Sequence, residues 1–330
     1  MSKLICYPVD HAGSNSKNIP NPKAVIPKAV VIIPARFASS RLPGKALLEV
    51  AGKSMVCRVV ERAGAARNVS RVIVATDDQR IVDAVRAAGH EAMVTRADHR
   101  SGTDRLAEVA VMLDDTEIIV NVQGDEPLIS PETIDRAIEA LVEGDSEKAG
   151  NGEGETLRRG DAETGNRAKG QIGGRQVAPI QERVGIVTAW ERIESATDVL
   201  NPAVVKIVVD ETGQAIYFSR SPVPFPQSAV LEHGTIENAL RSDPALPGQF
   251  RKHTGLYVYS KKVLLEFTRW PQSELERIES LEQLRALEHG VKIKAIEASS
   301  PSIGVDTMED LERVRRIVSS SEFRLPSSGT

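Results

Sequence analysis

Val30-Val31-Ile32-Ile33-Pro34-Ala35-Arg36-Phe37-Ala38-Ser39-Ser40-Arg41-Leu42-Pro43-Gly44-Lys45 is the stretch on which both the fold and the chemistry turn. Its first four residues form an uninterrupted apolar run, the pattern of a buried strand. Proline has no N–H to donate, so the ladder is expected to end at Pro34. Beyond it comes a loop with Arg36, Arg41 and Lys45, two serines and a glycine. A strand that empties into such a loop can hold a triphosphate, because backbone N–H groups and side-chain cations converge on one anion. Any one of these cations alone would read as an ordinary solvated charge; the spacing of all three does not. The Gly-x-x-x-x-Gly-Lys spacing of a Walker loop is missing.

Outward from this stretch, short apolar runs alternate with helical patterns, the rhythm of a mostly parallel, doubly wound α/β sheet with helices on both faces. Val56, Val59, Val60 and Ala63 give one helix a buried stripe, and Ile81, Ala84, Val85 and Ala88 give the next. Strands are expected at 71–75, 91–94 and 117–122. Ser101 to Asp104 fits a capping box opening a helix with Leu106, Val109, Ala110 and Leu113 inward. Ile134, Ala137, Ile138 and Leu141 mark the helix after Pro131. Further strands are expected at 184–190, 204–209, 215–219, 252–259 and 291–296, the second and third as a hairpin. Residues 221–250, rich in proline and polar residues, read as a long loop. Ile278, Leu281, Leu284 and Leu287 read as the core face of one helix. Thr307-x-x-Asp310 is a second capping box, leading a helix with Met308, Leu311, Val314 and Val318 inward.

Composition excludes several functions. The 330 residues carry a net charge of -4, without the basic field of nucleic-acid binders, so any anion site must be local. No apolar stretch approaches the roughly 20 residues that cross a bilayer. The 2 cysteines, Cys6 and Cys57, give neither a disulfide framework nor a metal cluster, which suits a reducing cytoplasm. Residues 1–28 lack a continuous apolar segment and are expected to form a flexible extension rather than a secretory leader. Residues 144–180, almost without large apolar side chains, are expected to be a disordered insertion, and 319–330 a flexible tail.

The spacing Pro-Ala-Arg-x-x-Ser-x-Arg-Leu-Pro-Gly-Lys over 34–45 resembles the signature of the sugar-activating cytidylyltransferases, most closely the 3-deoxy-manno-octulosonate cytidylyltransferase (CMP-Kdo synthetase) family. The likeness continues through Ala75-Thr76-Asp77, Thr95 to Thr103, Val120 to Pro127 and Tyr217 to Arg220. Lys252 to Tyr257, Leu281 to Leu284 and Gly304 to Thr307 complete it. These blocks stand in family order across about 29–317, so the resemblance implies one cytidylyltransferase domain over 29–318. The family does not usually carry the N-terminal extension or the insertion. It implies a nucleotide-diphospho-sugar transferase type of Rossmann-like sheet with an inserted sugar-binding and dimerisation subdomain. It also implies a cytoplasmic homodimer, with CTP and 3-deoxy-D-manno-octulosonate (Kdo) as substrates and Mg²⁺ as cofactor, for lipopolysaccharide biosynthesis.

Nucleotidyl transfer needs a held triphosphate, a metal and an aligned attacking oxygen. Arg36, Arg41 and Lys45 supply the first, two as guanidinium forks and one as a movable point charge. Asp125 follows a central strand, where open α/β sheets bind ligands. Asp306 sits at another strand-to-helix junction, where its plain reading is helix capping. The resemblance implies that these two carboxylates jointly hold Mg²⁺. It implies base recognition by Ala75, Thr76, Asp77, Arg96, Ser101, Gly102 and Gln123. It assigns the acidic sugar to Arg220, His253, Tyr257, Glu282 and Gln283, with Arg220 facing the carboxylate. Plain readings stand beside these: Ser101 as a cap, Arg96 and His253 as surface residues, Tyr257 as core. Glu126 is read as supporting the metal site from behind. The alternatives are a cytidylyltransferase for 8-amino Kdo or a sialic acid, a metal-dependent glycosyltransferase and a non-catalytic nucleotide sensor. The glycosyltransferase would need Asp-x-Asp, where this chain reads Gly124-Asp125-Glu126.

Overall fold

The apolar run at 30–33 lies inside a mixed sheet in a computed structural model that describes residues 27–38, 42–146 and 184–320. Arg41, residues 1–26 of the extension, 147–180 of the insertion and 321–330 of the tail lie outside the described residues. In chain order the strands are β1 (Ala29–Ala35), β2 (Glu49–Val50), β3 (Lys53–Ser54), β4 (Val69–Thr76), β5 (Glu91–Val94) and β6 (Ile118–Asn121). They continue with β7 (Val184–Arg192), β8 (Lys206–Val209), β9 (Ala215–Ser219), β10 (Arg251–Ser260) and β11 (Lys292–Glu297). The helices are α1 (Met55–Gly64), α2 (Gln79–Ala87), α3 (Gly102–Val111), α4 (Pro131–Ser146), α5 (Ala196–Leu200) and α6 (Gln227–His233). After them come α7 (Ile236–Ser242), α8 (Lys261–Phe267), α9 (Glu274–Glu279), α10 (Gln283–Glu288) and α11 (Met308–Ser319).

The main sheet runs β11-β7-β10-β6-β1-β4-β5, with the β8–β9 hairpin joined through β10, while β2 and β3 form a separate ribbon. β1 pairs in parallel with β4 and β6, and β4 with β5, which makes one half of the sheet parallel. β10 enters antiparallel between β6 and β7. Alternation along β1 explains why its run is uninterrupted. Val31 and Ile33 pack on the side of α1, α2 and α4, whereas Val30 and Ile32 pack on the side of α3 and α8. A strand covered on both faces has no polar face to show.

Four expectations need correction. β1 does not end at Pro34: Pro34 stands opposite Ala75 and Ala35 opposite Thr76. The β6 ladder beside it covers only 30–32, so the missing proline N–H falls where no neighbouring strand needs it. The long loop expected at 221–250 contains α6, α7 and a 3-10 turn at Leu246–Gln249. Thr235 caps α7 by accepting from the Asn238 N–H (3.2 Å), and Ala239, Leu240, Leu246 and Phe250 close a small core with Ile193 and Val199. The single helix expected over 278–287 is α9 and α10, broken at Ser280 with φ 52°; Ile278 is exposed while Leu281 and Leu284 are buried. Met308 is exposed too, leaving Leu311, Val314 and Val318 as the buried face of α11. Two boundaries also move: α4 runs on to Ser146, so the helix includes the first residues assigned to the insertion, and α11 reaches Ser319.

Candidate active site

Lys45 begins a 3-10 turn directly after Gly44, which adopts φ 69°. A Cβ on Gly44 would stand 3.1 Å from the Phe37 ring, and the Gly44 N–H donates to the Phe37 carbonyl (3.0 Å). Glycine here serves both the left-handed turn and the close approach to Phe37. The Lys45 ammonium donates to the Asp125 carboxylate, to Asp306 Oδ1 (3.1 Å) and to the Val305 carbonyl (3.3 Å). The loops carrying the two aspartates are tied by the Val305 N–H donating to the Asp125 carbonyl (2.9 Å). α11 anchors the second loop by packing Leu311, Val314 and Val318 against Leu42, Val50, Met55 and Leu128. Thr307 and Asp310 form the full capping box, which leaves the Asp306 carboxylate available to Lys45. Burial alone would lower the Lys45 pKa, but the paired carboxylates of Asp125 and Asp306 outweigh it and hold the ammonium above its ordinary range. Lys45, Asp125 and Asp306 therefore share one site.

Arg36 is exposed and donates through Nη2 to the His99 carbonyl (2.9 Å), linking the residue after β1 to the 96–101 segment. Ala75, Thr76 and Asp77 lie at the carboxyl end of β4, beside the end of β1. Thr76 is fully buried, and Asp77 Oδ2 lies 3.3 Å from Arg105 Nη2. Arg96 is exposed, 3.7 Å from the carboxylates of Asp98 and Glu108. Ser101 caps α3 by accepting from the Asp104 N–H (3.1 Å) and also hydrogen-bonds Glu282.

A cavity of about 450 Å³ opens beside this site, lined by Gly102, Gln123, Arg220, Tyr257, Glu282 and Gln283 among others. Six of the residues singled out from the sequence thus share one space, and Gln123 stands two positions before Asp125. Arg220 is held by main chain: Nε donates to the Glu279 carbonyl (2.7 Å), Nη1 to Pro202 (2.9 Å) and Nη2 to Ser280 (3.3 Å). Burial raises the Glu282 pKa, opposed by hydrogen bonds from Thr103 and Ser101. Burial also pushes the Tyr257 phenol well above its usual range. His253 does not line the cavity. Its Nε2 meets Thr188 Oγ1 (2.8 Å), its ring packs on Phe218 and Tyr257, and burial pushes its pKa down to about 3. A neutral ring adds no positive charge, so Arg220 is the cation facing the cavity.

Sequence reasoning passed over Thr103, Asn121, Tyr259 and Ser280 in the cavity wall, all of which flank residues it did name. It also underrated Glu126. Burial, reinforced by Asp125, raises the Glu126 pKa to about 7. Its carboxylate accepts from Ser302 Oγ (3.2 Å) and from the Gly255 N–H. A Cβ on Gly255 would come within 2.7 Å of Glu126 Oε1, so glycine at 255 is what lets this contact form. Glu126 thereby joins the Asp125 loop, the Ser302 segment and β10.

The donor set suits a hard cation. Two carboxylates reach the same ammonium, and Mg²⁺ takes one or two carboxylates with substrate phosphates and water. Among the described residues no group of three or more His, Cys, Asp or Glu could enclose a metal by itself. Asp125 and Asp306 would hold Mg²⁺ only together with a bound phosphate.

Comparison with known proteins supplies independent findings. The cytidylyltransferase family model matches residues 30–293. The 3-deoxy-manno-octulosonate cytidylyltransferase of Geobacter sulfurreducens is 46% identical, over 86% of this chain and 96% of its own. That of Solibacter usitatus is 42% identical, over 89% and 96%. A solved structure of CMP:2-keto-3-deoxy-manno-octonic acid synthetase complexed with CTP superposes with a TM-score of 0.68 at 36% identity, covering 88% of this chain and 98% of its own.

Proposed function

This chain belongs to the 3-deoxy-manno-octulosonate cytidylyltransferase family, and on that premise we propose that it joins CTP and Kdo to give CMP-Kdo and diphosphate. The observation that carries this reading is the Lys45 ammonium joined to two carboxylates, together with a cavity that holds Arg220 and whose Gln123 stands two positions before Asp125. Arg36, Arg41 and Lys45 grip the triphosphate, and as Lys45 turns to phosphate oxygens it uncovers Asp125 and Asp306. The Arg220 guanidinium receives the sugar carboxylate, while Tyr257, Glu282 and Gln283 offer hydrogen bonds to its hydroxyls and Gln123 stays with the nucleotide base. So placed, the anomeric oxygen attacks the α-phosphorus in line. The new P–O bond forms as the bond to the β-phosphate oxygen breaks, the hydroxyl proton leaves to solvent and diphosphate departs. Arg36 and Lys45 take up the charge that builds on the departing group. Mg²⁺, held by Asp125 and Asp306 with phosphate, would supply charge withdrawal from the phosphate and lower the hydroxyl pKa.

The same reading makes the protein a cytoplasmic enzyme of lipopolysaccharide biosynthesis acting as a homodimer. Support for the dimer comes from α6, which buries no residue, and from the exposure of Phe225 and Leu231 (55% and 75%). No described helix is long and apolar enough to cross a membrane. Purified protein with CTP, Mg²⁺ and Kdo is expected to release diphosphate only when all three are present. Release independent of Kdo, or none at all, would defeat the reading, and 8-amino Kdo and a sialic acid serve as competing substrates.

A further inference from the structure

Arg105, in the first turns of α3, has no exposed surface. Its Nη1 donates to Thr95 Oγ1, and its Nη2 faces Asp77 Oδ2 at 3.3 Å. Neither Nε nor Nη2 has a hydrogen-bond acceptor among the described residues. A guanidinium taken out of water and left partly unpaired is a poor device for stability; an apolar side chain of similar volume would serve the core better. What Arg105 does achieve is a connection. Asp77 is the first residue beyond β4 and Thr95 the first beyond β5. The Thr95 N–H also donates to the Thr76 carbonyl (2.9 Å), so the two strand ends are already laced together above the arginine. Parallel strands bind ligands beyond their carboxyl ends, and these two ends adjoin the phosphate loop through β1.

We propose that Arg105 is a positioning residue for the nucleotide base, its planar fork setting the separation of the Asp77 and Thr95 segments against which the pyrimidine packs. This rests on the cytidylyltransferase reading and goes beyond it by naming what makes the base pocket rigid. Arginine suits the task because its fork is flat and cannot lose its charge, whereas a lysine is a point charge on a flexible stem that fixes no plane. The backbone of Arg105 also donates to the Ser101 carbonyl (3.4 Å), so the same residue is tied to the α3 terminus that borders the cavity.

The test is a comparison of CTP and UTP on wild-type, Arg105→Met, Arg105→Lys and Thr95→Val proteins, by steady-state kinetics and by calorimetric nucleotide binding without sugar. Arg105→Met is expected to raise the KM for CTP about tenfold or more, to erode the preference for CTP over UTP, and to leave the KM for Kdo within twofold. Arg105→Lys is expected to recover part of the loss, and Thr95→Val to show a smaller change in the same direction. An unchanged CTP/UTP ratio in folded Arg105→Met overturns the proposal, as does an equal rise in both KM values with a lowered Tm. Should Arg105→Met not fold, an unchanged ratio in Thr95→Val overturns it instead. Failure of the enzymatic reading shows differently, as a wild-type protein without Kdo-dependent turnover, and the binding arm still reports on Arg105.

Discussion

The two ends of the candidate site are held by different means. At one end Lys45, Asp125 and Asp306 hold one another by side-chain ion pairs, each from a separate loop. At the cavity end Arg220 is fixed by three main-chain carbonyls. A side-chain pair changes partners when a stronger ligand arrives, but a guanidinium clamped on the backbone stays put. The first end is therefore suited to re-pair around an incoming triphosphate, and the second to receive an acidic sugar without reorganising.

The largest effect should come from the end that re-pairs. Asp125→Ala and Asp306→Ala are each expected to lower kcat by about 10²–10³ or more, with the far-UV circular dichroism preserved. Wild-type turnover in either would remove the distinction. Arg220→Lys keeps the charge but gives up the carbonyl clamp. The expected result is a KM for the sugar raised about tenfold, equivalent to ~1.4 kcal/mol, with the KM for CTP unmoved. Equal changes in both constants would mean that the two ends are not separately held.

A smaller effect separates His253 from Arg220. The His253 pKa lies below its unfolded value, so between about pH 6.5 and 3 the unfolded chain binds the extra proton and stability falls as pH falls. Tm against pH should decline across that window, and less steeply in His253→Asn; identical slopes would refute a buried neutral ring. Smallest is Thr307→Ala, which removes the cap of α11 and should cost about 1 kcal/mol by urea unfolding.

How much was legible in the sequence differs between the same two regions. The parallel half could be read because its signals are local: a strand buried on both faces is a run of apolar residues, and Ser101 and Thr307 announce their helices. Lys45 and Asp125 could be paired from the sequence because each follows a strand of that half, whereas Asp306 stands nine residues past β11, directly ahead of the α11 cap. The cavity half could not be read as well. Pro222, Pro224 and Pro226 suggested an unbroken loop and hid α6 and α7, of which α7 packs into the small cluster around Phe250. The left-handed turn at Ser280 has no glycine to mark it, so two short helices looked like one. His253 lay within a matching block, yet only the folded chain shows Thr188 and Phe218 around its ring. Glu126 reveals its importance only when Gly255 and Ser302 arrive from distant positions.

The bond between Lys45 and Asp306 spans 261 positions along the chain. A polypeptide leaving the ribosome thus displays Lys45 long before it acquires Asp306, which lies just ahead of α11. Joining such remote pieces is slow, because the intervening chain must first be ordered. A product terminated before residue 306 would own much of the scaffold, Lys45 and Asp125 included, and lack the second carboxylate, so the acidic pair is complete only once the segment leading into α11 has been made.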